Sequence, residues 1–395
     1  MHSMKWDLFC KVIDNWGDIG VCWRLAADLQ ARGQGVRLWV DEPEALAWMA
    51  PNALASCQGS NVACSLALKP NGGAIKRHFR PDTTLGVYRW DEHTVWPEPG
   101  DVVVEAFGCD PPPEFVQRMA AQTTPPTWIN LEYLTAEPYA QRSHGLRSPQ
   151  HGIGQGLSKY FFFPGWSEGT GGLIREANLA QRQAQFAPLD WLAEQGIEPA
   201  PTERLVSLFC YRNSALPSLL QALEKQPTLL LVTAGQSSEQ VRSLLGATTQ
   251  IGALRVAYLP PLTQIDFDHL LWASDVNLVR GEDSFVRAQF AGKPFLWQSY
   301  PQSDGAHEIK LEAFHQLWSD TLGEPPAFLN LNGAWNGFNF DGTKTSLHWP
   351  EASAEWQAWR DQCAAWAAHV GALTDLSTQL IEFATAHKRA DEAKI

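Results

Sequence analysis

The chain has 395 residues, of which 45% are hydrophobic and 18% charged, and its formal net charge is −13. That length exceeds one ordinary core and predicts two domains. The acidic balance excludes general binding to nucleic acid or to an anionic membrane, since either needs a basic face.

The first predicted strand, Leu8-Phe9-Cys10 with Val12-Ile13, runs into the loop Asp14-Asn15-Trp16-Gly17-Asp18. A helix follows, apolar at Val21, Cys22, Leu25, Ala26 and Leu29 and stopping at Gly33. Val36–Val40 reads as a strand and the residues around Leu46–Met49 as a helix, whereas Pro51 to Pro99 mixes loops and short strands. Asp101–Phe107 is a continuous β-branched strand, Pro111-Pro112-Pro113 opens a helix, and Thr127–Leu131 is the next strand, followed at once by Glu132-Tyr133. The aromatic run Tyr160–Trp166 leads into Gly169-Thr170-Gly171-Gly172. That loop lacks the Walker lysine and spacing, and is expected to be mobile or close-packed against the cleft.

A second α/β pattern begins near Arg204, with strands at Leu205–Cys210, Leu229–Val232, Leu254–Leu259, Val276–Val279 and Pro294–Trp297. The cluster Pro188, Gly196, Pro199 and Pro201 predicts a boundary within residues 185–203. The alanine- and tryptophan-rich end reads as helical from Ala352 to about Lys388. The expected layout is a domain at 1–185, a domain at 204–350, and a helical segment at 351–395 that crosses back to the first. The fold class is α/β, two doubly wound Rossmann-like domains facing a central cleft.

The seven cysteines (Cys10, Cys22, Cys57, Cys64, Cys109, Cys210, Cys363) are odd in number, and none stands at C-x-x-C spacing. They read as reduced core residues of a cytoplasmic protein. Asp7 and Lys11 interrupt the N-terminal apolar stretch and argue against a signal peptide, and no window approaches a membrane span. The 11 histidines form no H-x-x-x-H or H-E-x-x-H pair, and no zinc site is expected. No G-x-G-x-x-G occurs. Asp266-Phe267-Asp268 is a D-x-D, but it opens a helix, where first-turn acids are favoured by the dipole, so it reads as structural.

Two loops remain as candidates for chemistry. Both join a strand to a helix, and both therefore fall at the carboxyl ends of their sheets, where open α/β folds bind ligands. In the first, Asp14 and Asp18 are either a turn residue and a helix cap or a pair of functional acids. In the second, Arg280-Gly281-Glu282-Asp283-Ser284, Ser284 is the expected N-cap and the backbone N–H groups beyond it suit a phosphate without a metal. Arg280 adds positive charge, while Glu282 and Asp283 suit hydroxyl donors of a sugar or ribose. The alternative is that Ser284 caps, Arg280 pairs with Glu282, and nothing binds.

These residues bear a family resemblance. Val12–Val21 with Trp23-Arg24-Leu25-Ala26, then Phe163-Pro164-Gly165 with Thr170–Leu173, then Arg280–Gln289, then Tyr300-Pro301-Gln302 with Gly305-Ala306-His307, together resemble the bacterial elongation-factor-P arginine rhamnosyltransferases, the EarP family. The motifs occur in order from residue 6 to the C-terminal helix. Trp16 departs from the pattern, standing where Tyr or Phe is expected, and Pro51 to Pro99 gives no match.

The resemblance implies a GT-B glycosyltransferase fold. It also implies a donor, dTDP-β-L-rhamnose, held mainly by the C-terminal domain, and an acceptor, one arginine of translation elongation factor P, held mainly by the N-terminal domain. The reaction would invert the anomeric centre, need no cofactor or metal, and yield a factor active on polyproline stretches. By carry-over, Asp18, Asp14 and Glu282 are the catalytic candidates. Asn15, Trp16, Gly17, Tyr211, Gln264, Glu282, Asp283 and Ser284 are the substrate-binding candidates. Phe209, Tyr258 and Leu259 would border the thymine or belong to the core.

A guanidinium has no lone pair ready for attack and a pKa above about 12. A carboxylate can grip its fork and take a proton as the new bond forms. Asp18 is assigned as that base with Asp14 as its partner, an order that is reversible on sequence alone. Two rival readings are a GT-B enzyme with a small-molecule or glycan acceptor, and a non-catalytic nucleotide-sugar binding protein.

Overall fold

The computed structural model of the chain describes residues 3–12, 16–51, 64–66, 85–302, 304–338 and 347–392. Asp14 and Asn15, Cys57 and much of the stretch between Pro51 and Pro99 lie outside the described residues. Two compact units emerge, Met1–Glu176 with Leu373–Ile395, and Ala177–Ala372.

Among the described residues, the first unit is built on eight strands: β1 (Lys5–Cys10), β2 (Gly35–Val40), β3 (Cys64–Leu66), β4 (Leu85–Arg89), β5 (Val102–Ala106), β6 (Thr127–Leu131), β7 (Arg147–Pro149) and β8 (Ser158–Phe162). They lie in the order β3-β4-β2-β1-β5-β6-β8-β7. The inner strands are parallel, and β3 and β7 join antiparallel at the edges. The central strands are apolar on both sides because helices cover both faces. Leu8, Val104, Ile129 and Leu25 fill one core, while Phe9, Trp39, Trp96 and Phe115 fill the other. Asp7, fully buried in β1, ties that strand to β2 and to the loop before β5. It takes two hydrogen bonds of 2.6 Å from Arg37, one of 2.8 Å from Trp39 Nε1 and one of 2.7 Å from Gly100 N–H.

The second unit has β9 (Arg204–Leu208), β10 (Thr228–Val232), β11 (Gln250–Ile251), β12 (Leu254–Tyr258), β13 (Val276–Arg280) and β14 (Phe295–Gln298), ordered β11-β12-β10-β9-β13-β14. Among the described residues, only the β11–β12 pairing is antiparallel. Most tryptophans are packing residues. In this unit Phe285 lies flat on Trp297 at 4.0 Å, and Trp318 stacks on Trp366 at 4.6 Å.

The division into units departs from the proline-based boundary. Helices Leu179–Ala184 and Pro188–Glu194 belong to the second unit. Gln183 donates to the Ala291 carbonyl at 3.0 Å, and Trp191 Nε1 donates to Asp266 at 3.3 Å. Pro188 starts a helix, where its missing N–H costs nothing.

The helical end also splits. Ser353–Ala372 packs in the second unit through Trp356, Trp359 and Trp366, and Leu376–Glu392 packs in the first through Leu376, Leu380, Ile381 and Ala384. Asp375 marks the break by accepting the Thr378 N–H at 2.9 Å, a helix cap. The glycine-rich loop is close-packed, as one of its expectations had it. Gly172 has φ +73°, and a methyl there would sit 2.2 Å from the Thr374 carbonyl oxygen. The five cysteines Cys10, Cys22, Cys109, Cys210 and Cys363 are buried free thiols. Among the described residues, no helix is long and apolar enough to cross a membrane.

Candidate active site

In each sheet the chain reverses its winding beside the first strand. The switch points are therefore the carboxyl ends of β1 and β5 in the first unit, and of β9 and β13 in the second.

At the first, β1 passes to the helix Gly17–Ala31. Trp16 stands immediately before that helix with φ 62°, is 39% exposed, and accepts the Gly20 N–H at 3.1 Å. Phe107, directly after β5, has φ 58°, and its ring stacks on Tyr133 at 4.6 Å. These are the two non-glycine residues with positive φ among those described, and both lie at this switch point. Left-handed backbone at bulky residues is strain of the kind that collects at functional sites. Gly17 is not there for packing, since a methyl would meet nothing within 4 Å.

Asp18 lies in the first turn of the helix, partly exposed. Its charge reaches the end of β1. The Cys10 thiol is held above its ordinary range by a hydrogen bond with Cys22, by burial, and by the nearby Asp18 and Asp41 carboxylates. Burial, then Cys10, Asp41 and Glu105, does the same to Cys109. Asp18 and Asp41 bring carboxylates to this edge, and Lys11 brings a cation.

The second switch point centres on Arg280, the last residue of β13. Its guanidinium lies 4.4 Å from the Phe209 ring centre and 4.5 Å from that of Tyr211, and donates to the Cys210 carbonyl and Gln236 Oε1 at 3.3 Å each. Gly281 has φ +64°, and any side chain there would press on the Tyr211 hydroxyl at 3.0 Å. Trp297 Nε1 donates to the Gly281 carbonyl at 2.7 Å and fixes the turn. The helix then runs Asp283–Ala291 with Glu282 as its N-cap residue.

One expectation is corrected here. Ser284 is not the N-cap, because the helix starts at Asp283, two residues earlier than a Ser284 cap would set it. Its hydroxyl turns back, accepts the Arg280 N–H at 3.1 Å and donates to the Arg280 carbonyl. Arg280 stacks on rings, and Lys310 Nζ meets Glu282 Oε1 at 2.9 Å.

Tyr211 belongs to this cluster. Its N–H donates to Gln298 Oε1 at 2.9 Å, and its ring meets Tyr300 edge-on at 5.2 Å. Gln264 opens the helix after β12, two strands away from β9 in the sheet order. Leu259 is core, Phe209 packs on Phe267 at 5.3 Å, and Tyr258 lies under the Arg242 guanidinium at 3.8 Å.

The D-x-D acids are occupied. Asp266 Oδ2 accepts the Thr263 hydroxyl at 2.7 Å, and Asp268, 1% exposed, is gripped by Arg287 at 2.8 and 2.7 Å. Among the described residues no group of three or more His, Cys, Asp or Glu side chains is placed to hold a metal. Sequence reasoning missed Phe107, Lys310 and Tyr300 as members of these edges. The positive φ of Phe107 leaves no trace in composition, and Lys310 lies 28 residues from the acid it pairs with.

Comparison with known proteins supports the same reading. Residues 6–385 match the family described as Elongation-Factor P (EF-P) rhamnosyltransferase EarP. The chain is 42% identical to the protein-arginine rhamnosyltransferase of Pseudomonas aeruginosa and 41% identical to that of Pseudomonas putida, with 96% of this chain and 98% of each relative covered. It is also similar to a solved structure described as the structural basis for EarP-mediated arginine glycosylation of translation elongation factor EF-P. There the TM-score is 0.59 and the identity 30%, with 96% of this chain and 98% of the other covered. Arabidopsis thaliana UGT89C1 in complex with UDP shares the fold alone, with a TM-score of 0.50, 10% identity, and 97% and 99% of the two chains covered. The fold is GT-B, two Rossmann-like domains, and the chain belongs to the EarP family of protein-arginine rhamnosyltransferases.

Proposed function

We propose that this enzyme transfers L-rhamnose from dTDP-β-L-rhamnose to one arginine of translation elongation factor P in the cytoplasm, inverting the anomeric centre and using no metal. The observation that carries the reading is the contrast between the two switch points. One holds Asp18 in the first turn of a helix, and the other ends in Arg280, whose guanidinium lies against Phe209 and Tyr211 on the strand that leads into helix Asp283–Ala291.

In this reading the diphosphate of the donor lies against the N-terminus of helix Asp283–Ala291 and Arg280. There, aligned N–H dipoles and a fixed cation stabilise the charge that develops as the sugar leaves. Glu282 and Asp283 accept hydroxyl protons of the sugar or ribose, and Tyr211 lends a ring to the same edge. Asp18, with Asp14, binds the acceptor guanidinium and orients one nitrogen. That nitrogen attacks the anomeric carbon from the face opposite the diphosphate. The carbon–oxygen bond to phosphate breaks, its electron pair leaves with dTDP, and the proton of the attacking nitrogen passes to Asp18. Trp16 and Gly17 shape the wall beside the reacting groups. A factor so modified would regain activity on polyproline stretches.

Mass spectrometry of purified elongation factor P after incubation with the enzyme and dTDP-rhamnose tests this. A gain of one deoxyhexose on an arginine is expected, with an α-linkage in the NMR spectrum of the product. An unchanged mass overturns the acceptor assignment, and a β-linkage overturns inversion.

A further inference from the structure

We infer that Glu132, braced by Asn130, is an acceptor-binding residue that takes a guanidinium or ammonium group of the protein acceptor at the carboxyl edge of the first sheet. This rests on the proposed protein acceptor.

Glu132 follows β6 directly and is half-buried. Its Oε1 accepts a 2.8 Å hydrogen bond from Asn130 Nδ2, and its own N–H donates to the Phe162 carbonyl at 3.0 Å. Among the described residues, Asn130 is the one side chain hydrogen-bonded to this carboxylate. Asn130 is itself only 7% exposed, and its Oδ1, on the same amide that holds Glu132, has no hydrogen-bond partner. Two acceptors thus stand together, one charged and one neutral, and a buried carbonyl oxygen without a donor is a costly feature. Burial raises the Glu132 pKa, against the Asn130 hydrogen bond and the charge of Lys159. Lys159, the cation that acts on it, is already committed to Glu105 at 2.5 Å.

The chemistry of the missing partner follows. A donor suits both oxygens, and positive charge suits the Glu132 carboxylate. A guanidinium offers five N–H donors in a plane, and an ammonium offers three. A nucleotide diphosphate, negatively charged and rich in acceptors, matches neither oxygen.

The position fits as well. β1, β5 and β6 are successive parallel strands, so their carboxyl ends share one edge, and β6 lies about 10 Å from β1 at two interstrand spacings. Asp18 follows β1 and Glu132 follows β6. Both residues therefore stand at the carboxyl edge of one sheet.

Steady-state kinetics of Glu132→Gln with elongation factor P tests the inference. The acceptor KM is expected to rise about tenfold or more, the loss of one charge-assisted hydrogen bond, with donor KM and melting temperature unchanged. Glu132→Asp, which keeps the charge, is expected to recover part of the loss. Added salt should raise the acceptor KM of the wild type more steeply than that of Glu132→Gln. Binding of a factor whose modified arginine is replaced by alanine identifies the source of the cation. If the variant no longer weakens that binding, Glu132 takes the reacting guanidinium. If it still does, Glu132 takes a neighbouring basic side chain. An unchanged acceptor KM, or a rise in donor KM alone, overturns the inference while wild-type transfer stands. A wild-type enzyme that leaves the factor unmodified overturns the proposed acceptor and the inference with it.

Discussion

Lys310 and Glu282 are joined by a 2.9 Å ion pair that crosses from helix Ala306–Leu322 to the N-terminus of helix Asp283–Ala291. A carboxylate next to a proposed diphosphate site would repel the donor, and the ammonium offsets that repulsion. Lys310→Met is therefore expected to raise donor KM about five- to tenfold, the size of a partly exposed charge interaction of about 1 kcal/mol. Acceptor KM should stay where it is. Kinetics with each substrate varied in turn would show this, and an unchanged donor KM would remove Glu282 from the donor side.

Asp18→Asn keeps the shape of the side chain and removes its basicity. The transfer rate is expected to fall about 10²–10⁴-fold, the usual contribution of a positioned general base. The helix should lose only about 0.3–1 kcal/mol of dipole interaction. Donor affinity measured by calorimetry should be nearly intact. A large loss of donor affinity with little change in turnover would make Asp18 a binding residue instead.

Both switch points were legible in the sequence because their strands are continuous apolar runs that meet a glycine-bearing turn. Val276–Arg280 followed by Gly281, and Lys5–Cys10 followed by the loop before Gly17, are of this kind. The helix start was misread at Ser284. A hydroxyl in that register can cap, yet here it bonds back to Arg280, and the chain turns earlier because Gly281 takes positive φ. Short edge strands such as β7 give too few alternations to register. The break at Asp375 is hidden because apolar helix residues continue on both sides of it, though they face different cores. Pairings such as Lys310 with Glu282 are products of tertiary packing and have no sequence spacing to betray them.

The D-x-D acids provide a stability test. Asp268 and Arg287 are both 1% exposed at the side chain and are bound to each other by two hydrogen bonds. Arg287→Met leaves that carboxylate without its main cation in the core, which costs about 3–5 kcal/mol. For a unit of this size the melting temperature should drop by roughly 10 °C. Activity in excess chelator is expected to equal that in buffer. A requirement for a divalent ion would return Asp266 and Asp268 to the list of metal ligands.

Glu105 sets a pH dependence of folding. It is 1% exposed in β5, and burial raises its pKa from 4.5 to about 7, although Lys159 at 2.5 Å and the Trp128 indole N–H at 3.0 Å act the other way. Asp110 adds to the rise. Between these two values the folded chain holds a proton that the unfolded chain has released. Stability therefore decreases as pH climbs from about 4.5 to about 7 and is level with respect to this group above that. The change is on the order of 3 kcal/mol for a shift of this size. Glu105→Gln should flatten that part of the profile in urea melts taken at successive pH values. A variant whose slope across this window equals that of the wild type would show that Lys159 keeps Glu105 ionised in the folded state.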